Sequence, residues 1–168
     1  QIENMTIFVK NKHTLQIDKF KFKCSIGKKG STINKKEGDK KTPRGSFEIE
    51  NLYFRKDRME KPSTLLKCIA IKKSMGWCND IRFPKKYNKL IKIEKKVKHE
   101  KLKRKDYKYN LLIPIKYNSK KTVTGQGSCI FLHLTKDYKP TAGCVALKEK
   151  DFLIMLKLIK KNSKIKIF

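Results

Sequence analysis

Between Phe20 and Ile26 the chain alternates strictly: Phe20, Phe22, Cys24 and Ile26 are separated by Lys21, Lys23 and Ser25. Successive side chains of an extended chain point to opposite faces, so this pattern predicts a strand with one buried face. The same reasoning predicts strands at M-T-I-F-V-K (5–10), G-S-F-E-I-E-N-L-Y-F (45–54), 66–71, 111–117, 129–134, 144–147 and the closing K-I-K-I-F. A long polar loop from Gly27 to Gly45 ends in G-D-K-K-T-P-R-G, where Gly and Pro punctuate a turn. M-G-W-C-N-D-I-R-F-P-K-K-Y-N reads as an aromatic and polar loop, and the charged stretch from Leu90 to Lys108 supports no assignment.

Helical spacing is clear only near the C-terminus, where Phe152, Met155, Leu156 and Ile159 share one face. Glu149 and Asp151 at its start and Lys157, Lys160 and Lys161 at its end complement the helix dipole, predicting an amphipathic helix near 149–160. No internal repeat or linker divides the 168 residues, so 1–168 reads as a single, mainly-β domain with one late helix. No apolar run approaches the roughly 18–20 residues that a membrane span needs. No secretory leader is read from Gln1 onward, which leaves the compartment open.

A net charge of +29 invites a nucleic-acid reading. Yet only Arg44, Arg55, Arg58, Arg82 and Arg104 carry the forked guanidinium suited to phosphate and base edges; every other basic residue is a lysine, spread along the whole chain. A solvated lysine-rich surface is the plainer explanation, and no specific nucleic-acid partner is expected. A basic nucleic-acid-binding module stands as the alternative from a different class.

Five cysteines, Cys24, Cys68, Cys78, Cys129 and Cys144, leave at least one thiol unpaired, and no C-x-x-C pair suggests a zinc site. Cys24, Cys68 and Cys129 fall in apolar or alternating segments and read as small buried hydrophobes. Cys144 follows Ala142-Gly143 after a proline-containing turn, eleven residues beyond His133 in C-I-F-L-H-L. His13 and His99 lie in polar segments and read as surface residues. A thiol attacks a carbonyl best with an imidazole to take its proton, and a strand, a turn and a returning strand would bring Cys144 and His133 together. Gly143 would allow close backbone approach, and the amide of Cys144 could face a developing oxyanion. The competing reading is a core histidine beside a buried thiol.

The stretch P-T-A-G-C-V-A-L after I-F-L-H resembles the catalytic signature of the YkuD-type L,D-transpeptidases, cysteine enzymes of the bacterial cell wall. K-E-G-D-K-K-T-P-R-G-S-F resembles the family's upstream E-G-D…T-P…G loop, and G-W-C-N-D-I-R-F-P-K-K-Y-N resembles a segment of its small single-domain branch. The likeness implies a β-sandwich or barrel-like catalytic domain, a location in the periplasm or cell envelope, no cofactor or metal, and a monomer. It implies attack by Cys144 on a peptidoglycan stem peptide, with His133 as base, Gly143 and Cys144 amides at the oxyanion, and Thr141 orienting the turn. The thioester would pass to an acceptor stem peptide or, in an L,D-carboxypeptidase, to water, and carbapenem-type inhibitors would acylate the same thiol. Trp77, Asp80, Arg82, Tyr87 and Asn88 are the substrate-binding candidates, and for Trp77, Asp80, Tyr87 and Asn88 a purely structural role is the equal alternative. Two positions depart from better-known members: Leu134 stands where Gly follows the His, and Ala146 stands where an Arg follows the Cys. Either another cation replaces that Arg, with Arg82 and several lysines as candidates, or the substrate differs.

Overall fold

The alternating runs pair as strands, and a computed structural model describes them over residues 5–168. The strands are β1 (Thr6–Lys10), β2 (Thr14–Ile17), β3 (Phe20–Lys23), β4 (Ser31–Thr32), β5 (Thr42–Pro43), β6 (Gly45–Glu48), β7 (Leu52–Phe54) and β8 (Cys68–Ala70). They continue with β9 (Met75–Cys78), β10 (Leu90–Lys92), β11 (His99–Lys101), β12 (Leu111–Pro114), β13 (Phe131–Leu134) and β14 (Val145–Leu147). The helix α1 (Glu149–Leu158) precedes β15 (Lys164–Ile167). One five-stranded sheet has the order β3-β2-β1-β15-β6 and a second the order β14-β13-β12-β7-β8. The closing strand β15 lies inside the first sheet, parallel to β1 and antiparallel to β6.

Both sheets send side chains into one core, where Ile7, Val9, Leu15 and Ile165 meet Leu111, Ile113, Leu132 and Val145. Phe152, Met155 and Leu156 of α1 fill the same core. The second sheet is covered on its other face as well. Tyr53, Leu112 and Phe131 point away from the main core into a smaller cluster with Trp77, Leu102 and Tyr109. A sheet buried on both faces needs apolar residues in unbroken runs, which is why L-L-I and I-F-L lose the alternation seen in β3.

The mainly-β architecture with one short C-terminal helix matches the expectation, with differences in detail. The helix stops at Leu158, short of Lys160, because Ile159 is already extended. The run from Gly45 to Phe54 is two strands: β6 joins the first sheet and β7 the second, so the chain changes sheets at 49–51. The segment read as a loop after Lys73 opens with β9, and the unassigned stretch supplies β10 and β11, which flank β9 antiparallel. Their charge pattern hid them because only part of each strand is covered. β2 was not foreseen, and Phe20 at the sheet edge is exposed although its alternation partners Phe22, Cys24 and Ile26 are buried. No helix among the described residues is long and apolar enough to cross a membrane.

Candidate active site

β13 and β14 run parallel with Leu132 opposite Val145, His133 opposite Ala146 and Leu134 opposite Leu147. Leu132, Leu134, Val145 and Leu147 point into the main core. Strand alternation therefore turns Phe131, His133, Cys144 and Ala146 to the other face. His133 and Cys144 stand one pleat apart on that face, and both line a cavity of ≈ 590 Å³. The register of two adjacent strands thus turns thiol and imidazole toward one cavity.

The turn that presents Cys144 is held by Thr141. Its hydroxyl donates to the Cys144 carbonyl at 2.6 Å and accepts the Gly143 amide at 3.1 Å. That engagement corrects the expectation that the Gly143 amide faces the oxyanion. Among the described residues no loop or turn carbonyl takes the Cys144 amide, which is the donor left for that task. Gly143 has φ +146°, and a Cβ there would lie 2.9 Å from the Lys41 carbonyl oxygen. Close approach and unusual backbone both require glycine here.

Lys41 belongs to the G-D-K-K-T-P loop, which explains why that distant motif accompanies the Cys144 turn. Asp39 folds the loop by accepting from Lys35 Nζ and the amides of Lys36 and Lys41. Buried Thr42 accepts the Gly27 amide at 2.9 Å, and the residues beside Gly27 grip the turn: Lys28 donates to the Thr141 carbonyl and Thr141 to that of Ile26. The loop is a buttress for the backbone around Cys144.

Electrostatically, thiol and imidazole are both neutral at rest. Burial pushes the Cys144 thiol up to about 12; the Phe131 amide opposes this and the Glu100 charge adds to it. Burial pulls His133 down to about 4. His133 Nδ1 lies 2.9 Å from the Leu134 carbonyl, so Nδ1 carries the hydrogen and Nε2 is the free, basic nitrogen. The two groups are not hydrogen-bonded to each other. Cys144 Sγ donates to the Cys129 carbonyl at 3.2 Å and accepts the Phe131 amide at 3.4 Å.

None of Trp77, Asp80, Arg82, Tyr87 and Asn88 lines this cavity. Tyr87 and Asn88 instead bond to Glu37 and Cys129 in its wall. Trp77 packs edge-on to Phe131, with ring centroids 5.3 Å apart, and donates its indole N–H to Asn88 at 2.9 Å. Asn88 Oδ1 also accepts the Cys129 amide, while its Nδ2 donates to the carbonyls of Tyr117 and Asn118. Buried Asp80 holds Arg82 through two side-chain bonds and takes the Lys98 amide. Arg82 is therefore committed to Asp80, which holds its carboxyl well below the usual range, and does not replace the missing cation.

The cavity wall contains residues that sequence reasoning missed. Glu37 lies within the E-G-D motif, but nothing in the sequence placed it in the wall of the Cys144 cavity. Glu100, Arg104 and Tyr109 come from β11 and the segment after it, which carried no readable pattern. Tyr109 stands edge-on to His133 at 5.5 Å and to Phe131 at 5.7 Å. Arg104 lines the cavity but is clamped twofold by Asp106, at 2.6 and 2.9 Å. The other arginines are likewise engaged within the chain: Arg44 with Ser31, Arg55 with Asp57 and Arg58 with backbone carbonyls. His13 is exposed as expected, whereas His99 is half-buried in β11. Among the described residues, no three His, Cys, Asp or Glu side chains are grouped as metal ligands.

A family model described as "L,D-transpeptidase catalytic domain" (YkuD) matches residues 3–167. The chain is also similar to the solved structure of Bd1075 from Bdellovibrio bacteriovorus, with a TM-score of 0.53 and 18% identity, over 99% of this chain and 48% of that one. This likeness shows the fold, and the chain spans about half the length of that structure. Comparison with curated proteins gives no match.

Proposed function

We propose that this chain, which belongs to the YkuD family of L,D-transpeptidase catalytic domains, acylates Cys144 with a peptidoglycan stem peptide and releases the acyl group to an amine or to water. One observation carries the reading: Cys144 and His133 share a face of the β13–β14 pair and open into one cavity, with His133 Nε2 left free by the Nδ1 bond to Leu134. His133 Nε2 accepts the thiol proton as sulfur attacks the donor carbonyl, and gives it to the departing amine. A neutral resting pair implies that proton transfer accompanies attack, with no thiolate stored beforehand. The Cys144 amide then faces the developing oxyanion.

Water as acceptor makes the enzyme a carboxypeptidase, and an amine makes it a transpeptidase; the thioester is common to both. Family membership also supports a location in the periplasm or cell envelope and susceptibility to carbapenems. Incubation with a carbapenem or a tetrapeptide stem, followed by intact-mass analysis, should give one adduct on Cys144 and none on a Cys144→Ala variant. An adduct that persists in Cys144→Ala would overturn the assignment. Digestion of muropeptides then separates transfer from hydrolysis by product mass.

A further inference from the structure

We propose that the outer face of the first sheet, β3-β2-β1-β15-β6, is a docking surface for an anionic lipid membrane. The inference does not depend on the acyl-transfer reading. Ile7, Val9, Leu15, Phe22, Ile165 and Ile167 turn into the main core. Strand alternation therefore turns Phe8, Lys10, Gln16, Lys21, Lys164 and Lys166 to the other side. None of these outward positions is buried, so the face is open among the described residues. Strand register sets them in order: one row crosses the sheet as Lys21, Gln16, Phe8 and Lys166. Lys164, opposite Thr6, flanks that row on one side, and Lys10 flanks it on the other.

The positive charge of this face survives a count of every nearby acid. The five strands carry one carboxylate, Glu48, on the edge strand β6. It stands opposite Lys164 and is already engaged by Lys120 at 3.2 Å and Lys116 at 4.0 Å. Asp18 and Lys19 occupy the β2–β3 turn at the rim and offset each other. Lys23 is exposed as well, but its ammonium lies over the Tyr138 ring, 4.5 Å from the centroid. Lys10, Lys21, Lys164 and Lys166 form no ion pair with an acid of this chain among the described residues.

Charge alone would attract any polyanion, and the aromatic residues narrow the partner. Phe168 is 52% exposed. Its ring stacks on that of Phe8 with centroids 6.3 Å apart, and the Lys166 ammonium lies 4.9 Å from its centroid. An aromatic pair set among lysines matches the headgroup level of a bilayer, where ammonium groups meet phosphate and rings enter the interface. A plane of paired strands matches a bilayer surface, whereas a threaded polymer calls for a groove. The orientation fits as well. The two sheets meet at the main core, and Cys144 and His133 stand on the far face of the second sheet. Docking through the first sheet leaves their cavity open on the side away from the lipid.

The test is flotation at about 0.15 M salt with vesicles of phosphatidylcholine containing about 30% phosphatidylglycerol, and with phosphatidylcholine alone. Binding should require the anionic lipid. The Lys10→Gln/Lys21→Gln/Lys164→Gln/Lys166→Gln variant should bind about 100-fold more weakly, as expected for four lysines at a charged surface. Lys56→Gln/Lys61→Gln/Lys72→Gln/Lys73→Gln removes the same charge from exposed positions around the second sheet and should lose about threefold or less. Phe168→Ser keeps the charge and should lose about fivefold. Thermal unfolding checks that each variant keeps the fold. Absence of binding by the parent protein would overturn the proposal. Equal losses in the two lysine variants would make binding a property of net charge, and an undiminished affinity of Phe168→Ser would remove the interfacial contact; either result overturns it. Tighter binding of soluble polyphosphate than of vesicles, lost in the first lysine variant, would assign the face to a polyanion and overturn the lipid assignment.

Discussion

The Thr141 hydroxyl bridges the two ends of the Cys144 turn, donating to the Cys144 carbonyl and accepting the Gly143 amide. Removing it frees an amide and a carbonyl that sit partly out of water. Thr141→Val should therefore cost about 1–2 kcal/mol of stability, read by chemical unfolding. Turnover should fall about 10-fold or more, because the sulfur and the Cys144 amide are no longer held in one geometry. Thr141→Ser keeps the hydroxyl and should restore most of both. A Val variant with parental turnover would show that the turn is held by other means.

Gly143 gives a sharper test of the buttress. An alanine there combines a φ of +146° with a 2.9 Å approach to the Lys41 carbonyl. Gly143→Ala should lose about 2–4 kcal/mol, since strain and overlap add. Gly125→Ala supplies the control: its φ is +89°, but nothing lies within 4 Å of the added Cβ. It should cost about 1 kcal/mol, the backbone share alone. Equal losses in the two variants would remove the contact with Lys41 from the explanation.

Asn88 joins three pieces of chain behind the site. Its side chain takes the Trp77 indole and the Cys129 amide and gives to the carbonyls of Tyr117 and Asn118. Asn88→Ala leaves these groups unpaired near the core and should destabilise by about 3 kcal/mol. The Cys129 carbonyl, which touches Cys144 Sγ, is then less firmly placed. Substrate affinity should change little while stability drops; a rise in KM with normal unfolding would return Asn88 to the substrate-binding residues.

Many of the strands, and the shared face of Cys144 and His133, were legible because each rests on a local pattern. Alternation marks β3, helical spacing marks α1, and G-C after a turn marks the candidate nucleophile. What escaped depends on partners distant in sequence. Nothing local shows that Ile49 starts a change of sheet, or that Tyr87, Tyr109 and Ser128 hold Glu37 and Glu100 in the wall of the cavity. Trp77 and Asn88 stood out through the family-like G-W…Y-N segment, yet the same aromatic and amide groups that can contact a ligand also satisfy each other when buried. The missing Arg after Cys144 was readable, but its absence acquires a physical setting only in the fold. Ala146 is buried opposite His133 and bonded to Ser25 through both backbone groups.

The imidazole of His133 supplies a pH dependence whose sign follows from burial. Its folded pKa is depressed from 6.5 to about 4, so the unfolded chain binds the proton first as pH falls. Above pH 6.5 both states are neutral at this residue, and its contribution to stability is fully present. Between 6.5 and about 4 only the unfolded chain takes the proton, and stability drops by about 3 kcal/mol across that window. Below about 4 both states are protonated and the loss is complete. Unfolding measured at pH 7 and 4.5 should show most of this loss, and His133→Gln should show less of it. Catalysis should follow the folded value. Hydrolysis of a stem peptide should keep its kcat/KM from pH 8 down to about 5, without the decline near 6.5 that a solvent-exposed histidine base would impose. A decline centred near 6.5 in a protein still folded at that pH would mean that water reaches His133, and that the neutral resting pair is wrong.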